Sequence, residues 1–137
     1  MQFHTGRLID HVHLRARNFA NTRYFYEKVL AVLGIPVTAR GQGWLQADEL
    51  FIDAADARTV PSHIHLAFQA RDAAMVDAFY QAALAAGGTG NGAPGLRDYH
   101  PGYYACFVLD PDGNNIEAVY HGPSTRSAPS VVIAPTS

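Results

Sequence analysis

The sequence has little cysteine, little net charge and no long hydrophobic run, and each shortage excludes a class of protein. Its one cysteine, Cys106, excludes an intrachain disulfide framework and a zinc site built from several cysteines. Ten basic and twelve acidic residues give a formal net charge of −2, without the basic surplus of a nucleic-acid-binding domain. No apolar run approaches the roughly 18 residues of a membrane span. We therefore expect neither nucleic acid nor a membrane as a partner.

What is present describes a globular chain with a substantial core. Hydrophobic residues make up 48% of the 137 residues and charged residues 16%. The segment Met1 to Arg7 lacks the basic and apolar regions of a secretory signal, and a lone cysteine suits a reducing compartment. We expect a cytoplasmic protein in which Cys106 packs as a small apolar residue rather than acting as a nucleophile.

The sequence contains an internal repeat. His11-Val12-His13-Leu14 recurs as His63-Ile64-His65-Leu66, at an offset of 63 − 11 = 52, and Phe25-Tyr26 recurs as Phe79-Tyr80, at an offset of 79 − 25 = 54. Two matches at nearly one spacing predict a duplicated module of about fifty residues, which is too small to bury a core alone. We predict two modules, approximately 7–56 and 60–122, within a single domain, 1–122.

Each module is predicted to be a strand, a helix and further strands. In the first His-x-His-Leu run, side-chain alternation places His11, His13 and Arg15 on one face of a strand and apolar residues on the other. An amphipathic helix follows each run, with Asn18 and Asp72 as N-caps. The further strands are predicted at 36–40, 43–47, 50–53, 103–109 and 115–120, the last pair joined by the turn Asp110-Pro111-Asp112-Gly113.

Two other segments are rich in turn-forming or small residues. The glycine-rich stretch 87–102 is predicted to be a loop, and its glycines Gly90, Gly92 and Gly95 suggest a movable lid. The tail, 123–137, has the composition of a flexible end, yet it contains the β-prone triplet Val131-Val132-Ile133. Packing of this tail against its own domain or a partner therefore stays open.

The two strand–helix modules, His11, His63 and the run Asp110-Pro111-Asp112-Gly113-Asn114-Asn115-Ile116-Glu117 resemble the vicinal oxygen chelate superfamily over roughly residues 8–122. This superfamily includes glyoxalase I, bleomycin-resistance and fosfomycin-resistance proteins, and extradiol dioxygenases. The resemblance implies an α+β fold: two βαβββ modules that form curved mixed sheets with the helices outside. It also implies a homodimer with sites in the hollows of the sheets.

Transferred by position, the resemblance assigns a divalent metal to His11, His63 and Glu117. Two imidazoles and one carboxylate suit zinc, nickel, manganese or iron, and they leave positions open for substrate. Glyoxalase I has a second carboxylate at the end of its first module, where this sequence offers Asp53 or no ligand. Without that carboxylate, the set is closer to an extradiol-type iron site.

Other residues are candidates for contacts to substrate or for proton transfer. His13 and His65 share the faces of the predicted ligands and are candidate substrate contacts or alternative ligands in a shifted register. Arg15 suits a substrate carboxylate, since a guanidinium binds carboxylate through two parallel hydrogen bonds. Histidine carries protons near neutral pH, and tyrosine can orient an oxyanion or donate a proton. The candidates for catalysis are His100, Tyr103 and Glu117; those for substrate binding are His13, Arg15, His65 and Tyr104, with Trp44 and Phe51 as possible lining.

Two functions are compatible with these residues. The first is a metal-dependent enzyme, glyoxalase-like or of the extradiol dioxygenase type, acting on a small molecule with vicinal oxygens. The alternative is a metal-free small-molecule binding protein of the bleomycin-resistance type, in which the histidines line an aromatic groove.

Overall fold

The computed structural model describes residues 2–6 and 8–136, and it contains the βαβββ unit twice. The first unit comprises β1 (Val12–Ala16), α1 (Phe19–Leu33), β2 (Ala39–Arg40), β3 (Trp44–Ala47) and β4 (Leu50–Ala54). The second comprises β5 (His65–Gln69), α2 (Ala73–Ala85), β6 (Thr89–Leu96), β7 (Tyr104–Leu109) and β8 (Asn115–Tyr120). The predicted α+β fold of two such units is confirmed.

The two units have the same sheet topology. Their strand orders are β1-β4-β3-β2 and β5-β8-β7-β6, so the last strand of each unit lies beside its first. These two strands run parallel, and the remaining neighbours are antiparallel. The two sheets are open and curved. Corresponding positions in the units therefore occupy corresponding places in the two sheets.

Local sequence explains where the helices begin and end. The side chains of Asn18 and Asp72 accept hydrogen bonds from the backbone N–H groups three residues later, as predicted. Helix α1 ends at Leu33, and the next residue, Gly34, has a φ of 73°, which favours glycine. No helix in the described part of the chain is both long and apolar enough to cross a membrane.

The core lies between the sheets and the helices. Leu14 and Ala16 of β1 and Leu50 and Ile52 of β4 are buried with the apolar stripe of α1. Cys106 on β7 is buried in the same core, and its thiol donates to the Val76 carbonyl at 3.6 Å. Burial raises the pKa of Cys106 to about 11, so the thiolate is disfavoured.

One buried polar contact joins the two units. The hydroxyl of Tyr26 on α1 donates to Asp110 Oδ2 at 2.6 Å, and the Asn114 side chain donates to the same oxygen at 2.8 Å. Burial and the Asp110 carboxylate raise the pKa of Tyr26 well above its ordinary value, which keeps this donor protonated. Asp112 in the same turn accepts from the backbone N–H of Arg17. The turn therefore links the second unit to the first through hydrogen bonds to Tyr26 and Arg17.

The glycine-rich stretch is a strand, so the predicted loop and lid were wrong over 89–96. Glycines are tolerated there because neighbouring side chains fill the space that a Cβ would occupy. A Cβ at Gly90 would lie 2.6 Å from the Tyr80 hydroxyl, and one at Gly92 would lie 3.0 Å from the Phe107 ring. Pairing with β7 outweighs the low β-propensity of glycine.

The tail contains no helix or strand between 123 and 136. Val131, Val132 and Ile133 are all at least 74% exposed. The Arg126 guanidinium donates to the Gln69 side chain on β5. Packing of the apolar triplet against its own domain is therefore absent from the described residues.

Replacing Tyr26 with phenylalanine should lower the free energy of unfolding by about 1–3 kcal/mol, because the buried Asp110 carboxylate would lose a hydrogen-bond donor. Urea denaturation followed by circular dichroism measures the change. Tyr24→Phe is the matched control, since Tyr24 is on the same helix but 51% exposed, and its effect should stay within about 0.5 kcal/mol. Equal effects of the two substitutions would contradict a stabilising role of the hydrogen bond from Tyr26 to Asp110.

Candidate functional site

The sheet of the second unit has a buried carboxylate on the face turned away from its helix. Glu117 on β8 is only 2% exposed. The imidazole Nε2 of His65 lies 3.0 Å from Glu117 Oε1, and the Tyr103 hydroxyl donates to Oε2. Because both carboxylate oxygens have a partner, burial of this charge is compensated.

Strand register explains why these side chains meet. Phe107 lies directly opposite Glu117 on the antiparallel strand β7, so both side chains share one face. On the parallel strand β5, Ala67 lies level with Glu117, and His65 is two residues earlier on the same face. Tyr103 precedes β7 at the same period-two spacing. Alternation thus aligns the imidazole, the carboxylate and the phenol.

The environment of Tyr103 favours its protonated form. Partial burial and the hydrogen bond to the Glu117 carboxylate raise the pKa of Tyr103 well above its ordinary value of 10.0. A protonated phenol donates, and an ionised carboxylate accepts. Tyr103 therefore holds a proton directly at Glu117.

The first unit repeats the arrangement. His13 Nε2 lies 2.7 Å from Asp53 Oδ1, and the guanidinium of Arg15 lies 3.8 Å from the same oxygen. Trp44 on β3 lies directly opposite Asp53, as Phe107 lies opposite Glu117. The two units therefore resemble each other in side chains as well as in topology. Each sheet has a histidine, a carboxylate and an aromatic residue at corresponding positions.

His11 and His63, the predicted metal ligands, lie just before β1 and β5. The His11 side chain is 62% exposed and its Nδ1 lies 2.6 Å from the Asp10 carboxylate. His63 is also exposed, two residues before His65. Among the described residues, no three His, Cys, Asp or Glu side chains form a group that could hold a metal. One chain thus presents two separate imidazole–carboxylate pairs.

A second pair of histidines adjoins Tyr103. His100 Nδ1 lies 2.9 Å from the Pro101 carbonyl oxygen, which only accepts, so this nitrogen donates. His100 Nε2 then accepts, in the neutral pair, from His121 Nδ1 at 2.9 Å. The Tyr103 ring packs edge-on against both imidazoles, at centroid distances of 5.3 and 5.2 Å. Both ring nitrogens of His100, the predicted proton carrier, are therefore engaged within the protein.

His121 is a residue that the sequence analysis missed. It follows Glu117 by four residues on the same alternating face, and this periodicity was the signal that could have found it. Phe3 packs on its ring at 4.8 Å between centroids. Burial and the neighbouring His100 lower the pKa of His121 below its ordinary value of 6.5, so it is mainly neutral at pH 7.

Tyr104 lies on the opposite face of β7 from Glu117. Its hydroxyl donates to Asp77 on α2 at 2.6 Å, and this bond is the main cause of a raised pKa of Tyr104. Trp44 and Phe51, by contrast, lie on the His13 face and stack at 5.8 Å between centroids. Tyr104, a predicted substrate contact, is thus not on the Glu117 face, and the lining of a pocket by Trp44 and Phe51 stays a prediction.

The family of the chain follows from a comparison of its sequence with known families. Residues 8–118 match the profile described as Glyoxalase/Bleomycin resistance protein/Dioxygenase superfamily. The chain belongs to this superfamily. The matched range includes both imidazole–carboxylate pairs. No curated protein sequence matches the chain.

Solved structures of this superfamily have the same fold. A glyoxalase/bleomycin resistance protein from Albidiferax ferrireducens T118 is 29% identical, with a TM-score of 0.68 over 80% of this chain and 95% of its own. A family enzyme from Burkholderia phytofirmans PsJN is 24% identical, with a TM-score of 0.64 over 81% and 96%. Lactoylglutathione lyase from Agrobacterium tumefaciens is 21% identical, with a TM-score of 0.56 over 84% and 94%. The last two likenesses concern the fold alone.

The low pKa of His121 predicts a pH dependence of stability. Between the folded-state pKa and 6.5, the unfolded chain binds more protons at this residue than the folded chain does. The free energy of unfolding should therefore fall as the pH drops through 6.5 and should be insensitive to His121 above that range.

Urea denaturation at several pH values, with a chelator present, measures this dependence. The substitution His121→Asn should reduce the slope below pH 6.5, whereas His4→Asn, at an exposed histidine, should not. Parallel stability profiles of wild type and His121→Asn would contradict the assignment.

Proposed function

We propose that this protein is a metal-dependent enzyme that binds a small molecule through two vicinal oxygens and acts on it as a glyoxalase-like lyase or an extradiol-type dioxygenase. The observation that carries the proposal is the buried Glu117 carboxylate, held between the His65 imidazole and the Tyr103 hydroxyl. A second imidazole–carboxylate pair, His13 and Asp53, occupies the corresponding place in the other sheet. Membership of the superfamily supports the same class of reaction.

The donor atoms of the two pairs fit a divalent transition metal. Imidazole nitrogen and carboxylate oxygen bind zinc, nickel, manganese and iron. One pair supplies two ligands, whereas two pairs supply four. We assign the metal to His13, Asp53, His65 and Glu117, because each of these imidazoles already lies within 3.0 Å of a carboxylate oxygen. The resemblance to glyoxalases would instead assign the metal to His11 and His63. Substituting the histidines of each set in turn distinguishes the two assignments.

A homodimer would bring two such pairs together. The strands β1 and β5 are both at the edge of a sheet in the described part of the chain. The side chain of His65 is 52% exposed, and Trp44 is 37% exposed. We propose that the first unit of one copy faces the second unit of another, so that each complete site has ligands from both copies.

The protein's own residues would handle the proton. The bound metal would act as a Lewis acid that polarises the adjacent oxygens of the substrate. Glu117 accepts the hydrogen bond of Tyr103, so a proton is held at a carboxylate beside the reacting molecule. The His100–His121 pair lies next to the Tyr103 ring, and the lowered pKa of His121 suits that imidazole to act as a base near neutral pH.

A metal-free binding protein is the second candidate. The observation that favours it is the stacked pair of Trp44 and Phe51 on the His13 face, since aromatic rings bind planar organic molecules. In this case His13 and His65 would only line the groove.

Metal content separates the two candidates. Protein prepared without a histidine tag and loaded with zinc, nickel, manganese or ferrous iron should retain one equivalent per chain of at least one of these metals after dialysis, measured by elemental analysis. Glu117→Gln and His65→Ala should lose it, because each removes a ligand, whereas His4→Ala should keep it. If His63→Ala loses the metal and His65→Ala keeps it, the assignment of His65 as a ligand is wrong. Absence of metal in the wild type would favour the metal-free binding protein.

Mixing two defective variants tests sites shared between copies. His13→Ala and His65→Ala each lack one ligand in every site of their own dimers. In a mixed dimer, one site lacks both histidines and the other is complete. Refolding the two variants together should restore about a quarter of the wild-type metal content, since random pairing makes about half of the dimers mixed. No recovery would contradict sites shared between copies.

A further inference from the structure

Arg97 lies over the sheet face that contains Glu117, without a carboxylate partner among the described residues. Its guanidinium carbon is 5.4 Å from the centroid of the Phe107 ring. Two of its five N–H donors bond to backbone carbonyls, of Ala93 at 2.6 Å and of Leu96 at 3.3 Å. These contacts fix the guanidinium plane and leave three donors for a ligand.

The glycines of β6 leave room for this guanidinium. A Cβ at Gly92 would lie 3.3 Å from one terminal nitrogen of Arg97, and a Cβ at Gly95 would lie 3.1 Å from the other. Both distances are shorter than ordinary van der Waals contacts. Side chains at these two positions would therefore push the guanidinium away from Phe107. The two glycines thus allow Arg97 to stack on Phe107.

Arg97 is also beside the proposed reaction site. Phe107, on which it stacks, lies directly opposite Glu117, and the His65 ring is 5.9 Å from the Phe107 ring. An open cavity of about 540 Å³ lies along residues 96–102, including Arg97 and His100. A small ligand in this cavity could contact the guanidinium, and both Arg97 and Glu117 adjoin Phe107 on the same sheet face.

We propose that Arg97 binds a carboxylate group of the substrate, which would then be a small carboxylic acid with vicinal oxygens at its other end. A fixed guanidinium pairs with a carboxylate through two parallel hydrogen bonds. The negative charge of Glu117 nearby favours a monoanion over a dianionic phosphate. The identity of the whole substrate rests on the proposed function, whereas the carboxylate site does not need a metal.

Benzoate tests the carboxylate site alone, because it has the charged group and an aromatic ring but no vicinal oxygens. Titration of isotopically labelled, chelator-treated protein, followed by NMR, should show saturable binding with a shift of the Arg97 side-chain Nε–H signal. Benzamide, which is neutral and of the same shape, should bind about tenfold more weakly. Absence of saturable benzoate binding, or equal binding of the two probes, would overturn the proposal.

Substitutions locate the effect. Arg97→Met should abolish the preference for benzoate, and Arg97→Lys should retain only part of it, since an ammonium lacks the planar fork. The control Arg23→Met removes an exposed arginine on α1 and should leave the preference unchanged. A preference that survives in Arg97→Met would place the carboxylate elsewhere and overturn the proposal.

A chelating probe then separates this proposal from the proposed function. With metal present, 3,4-dihydroxybenzoate should bind more tightly than both benzoate and catechol, because it uses Arg97 and the metal together. If metal adds nothing to its affinity while benzoate still binds at Arg97, the carboxylate site stands and the metal-dependent function fails. If metal tightens catechol binding but the added carboxylate has no effect, the metal site stands and the role of Arg97 fails.

Discussion

The site depends on one constraint, the burial of the Glu117 carboxylate in the middle of a sheet. A carboxyl group with 2% exposure requires partners, and the strand register supplies the imidazole of His65 and the phenol of Tyr103. The same register places Phe107 beside it, and Arg97 stacks on Phe107. The polar and aromatic side chains on this face of the second sheet are thus arranged around Glu117.

Duplication extends this constraint to the whole chain. The first unit has the corresponding His13 and Asp53, and both sheets leave these faces free of their own helices. The Tyr26–Asp110 bond holds the two units together through α1 and the 110–114 turn rather than through the two faces. The buried contact between the two units therefore lies on the helix side of the sheets, and the proposed site lies on the opposite side.

The sequence predicted most of the fold because the signals were local and repeated. The caps Asn18 and Asp72 and the alternation of His11 and His13 with apolar residues fixed the helices and sheet faces. The glycine-rich strand β6 escaped prediction because its pairing with β7 is a tertiary effect. Tyr80 and Phe107, which fill the space beside its glycines, are also remote in sequence.

The site was predicted less completely for a similar reason. The resemblance pointed to Glu117, the repeat to His65 and residue type to Tyr103, but the contacts between them depend on register across three strands. His121 and Arg97 lie outside the repeated motif. Alternation along β8 connects His121 with Glu117, whereas only the folded sheet connects Arg97 with it. Resemblance selected His11 and His63, whereas the contacts of the folded chain involve His13 and His65.

Anomalous diffraction from crystals of the metal-loaded protein tests the central claim most directly. We predict a metal peak about 2.0–2.2 Å from a Glu117 carboxylate oxygen and from the Nε2 atom of His65. A second copy of the chain should contribute His13 and Asp53 to the same peak. A peak at another group of residues, such as His100 and His121, or no peak beside Glu117, would contradict the account.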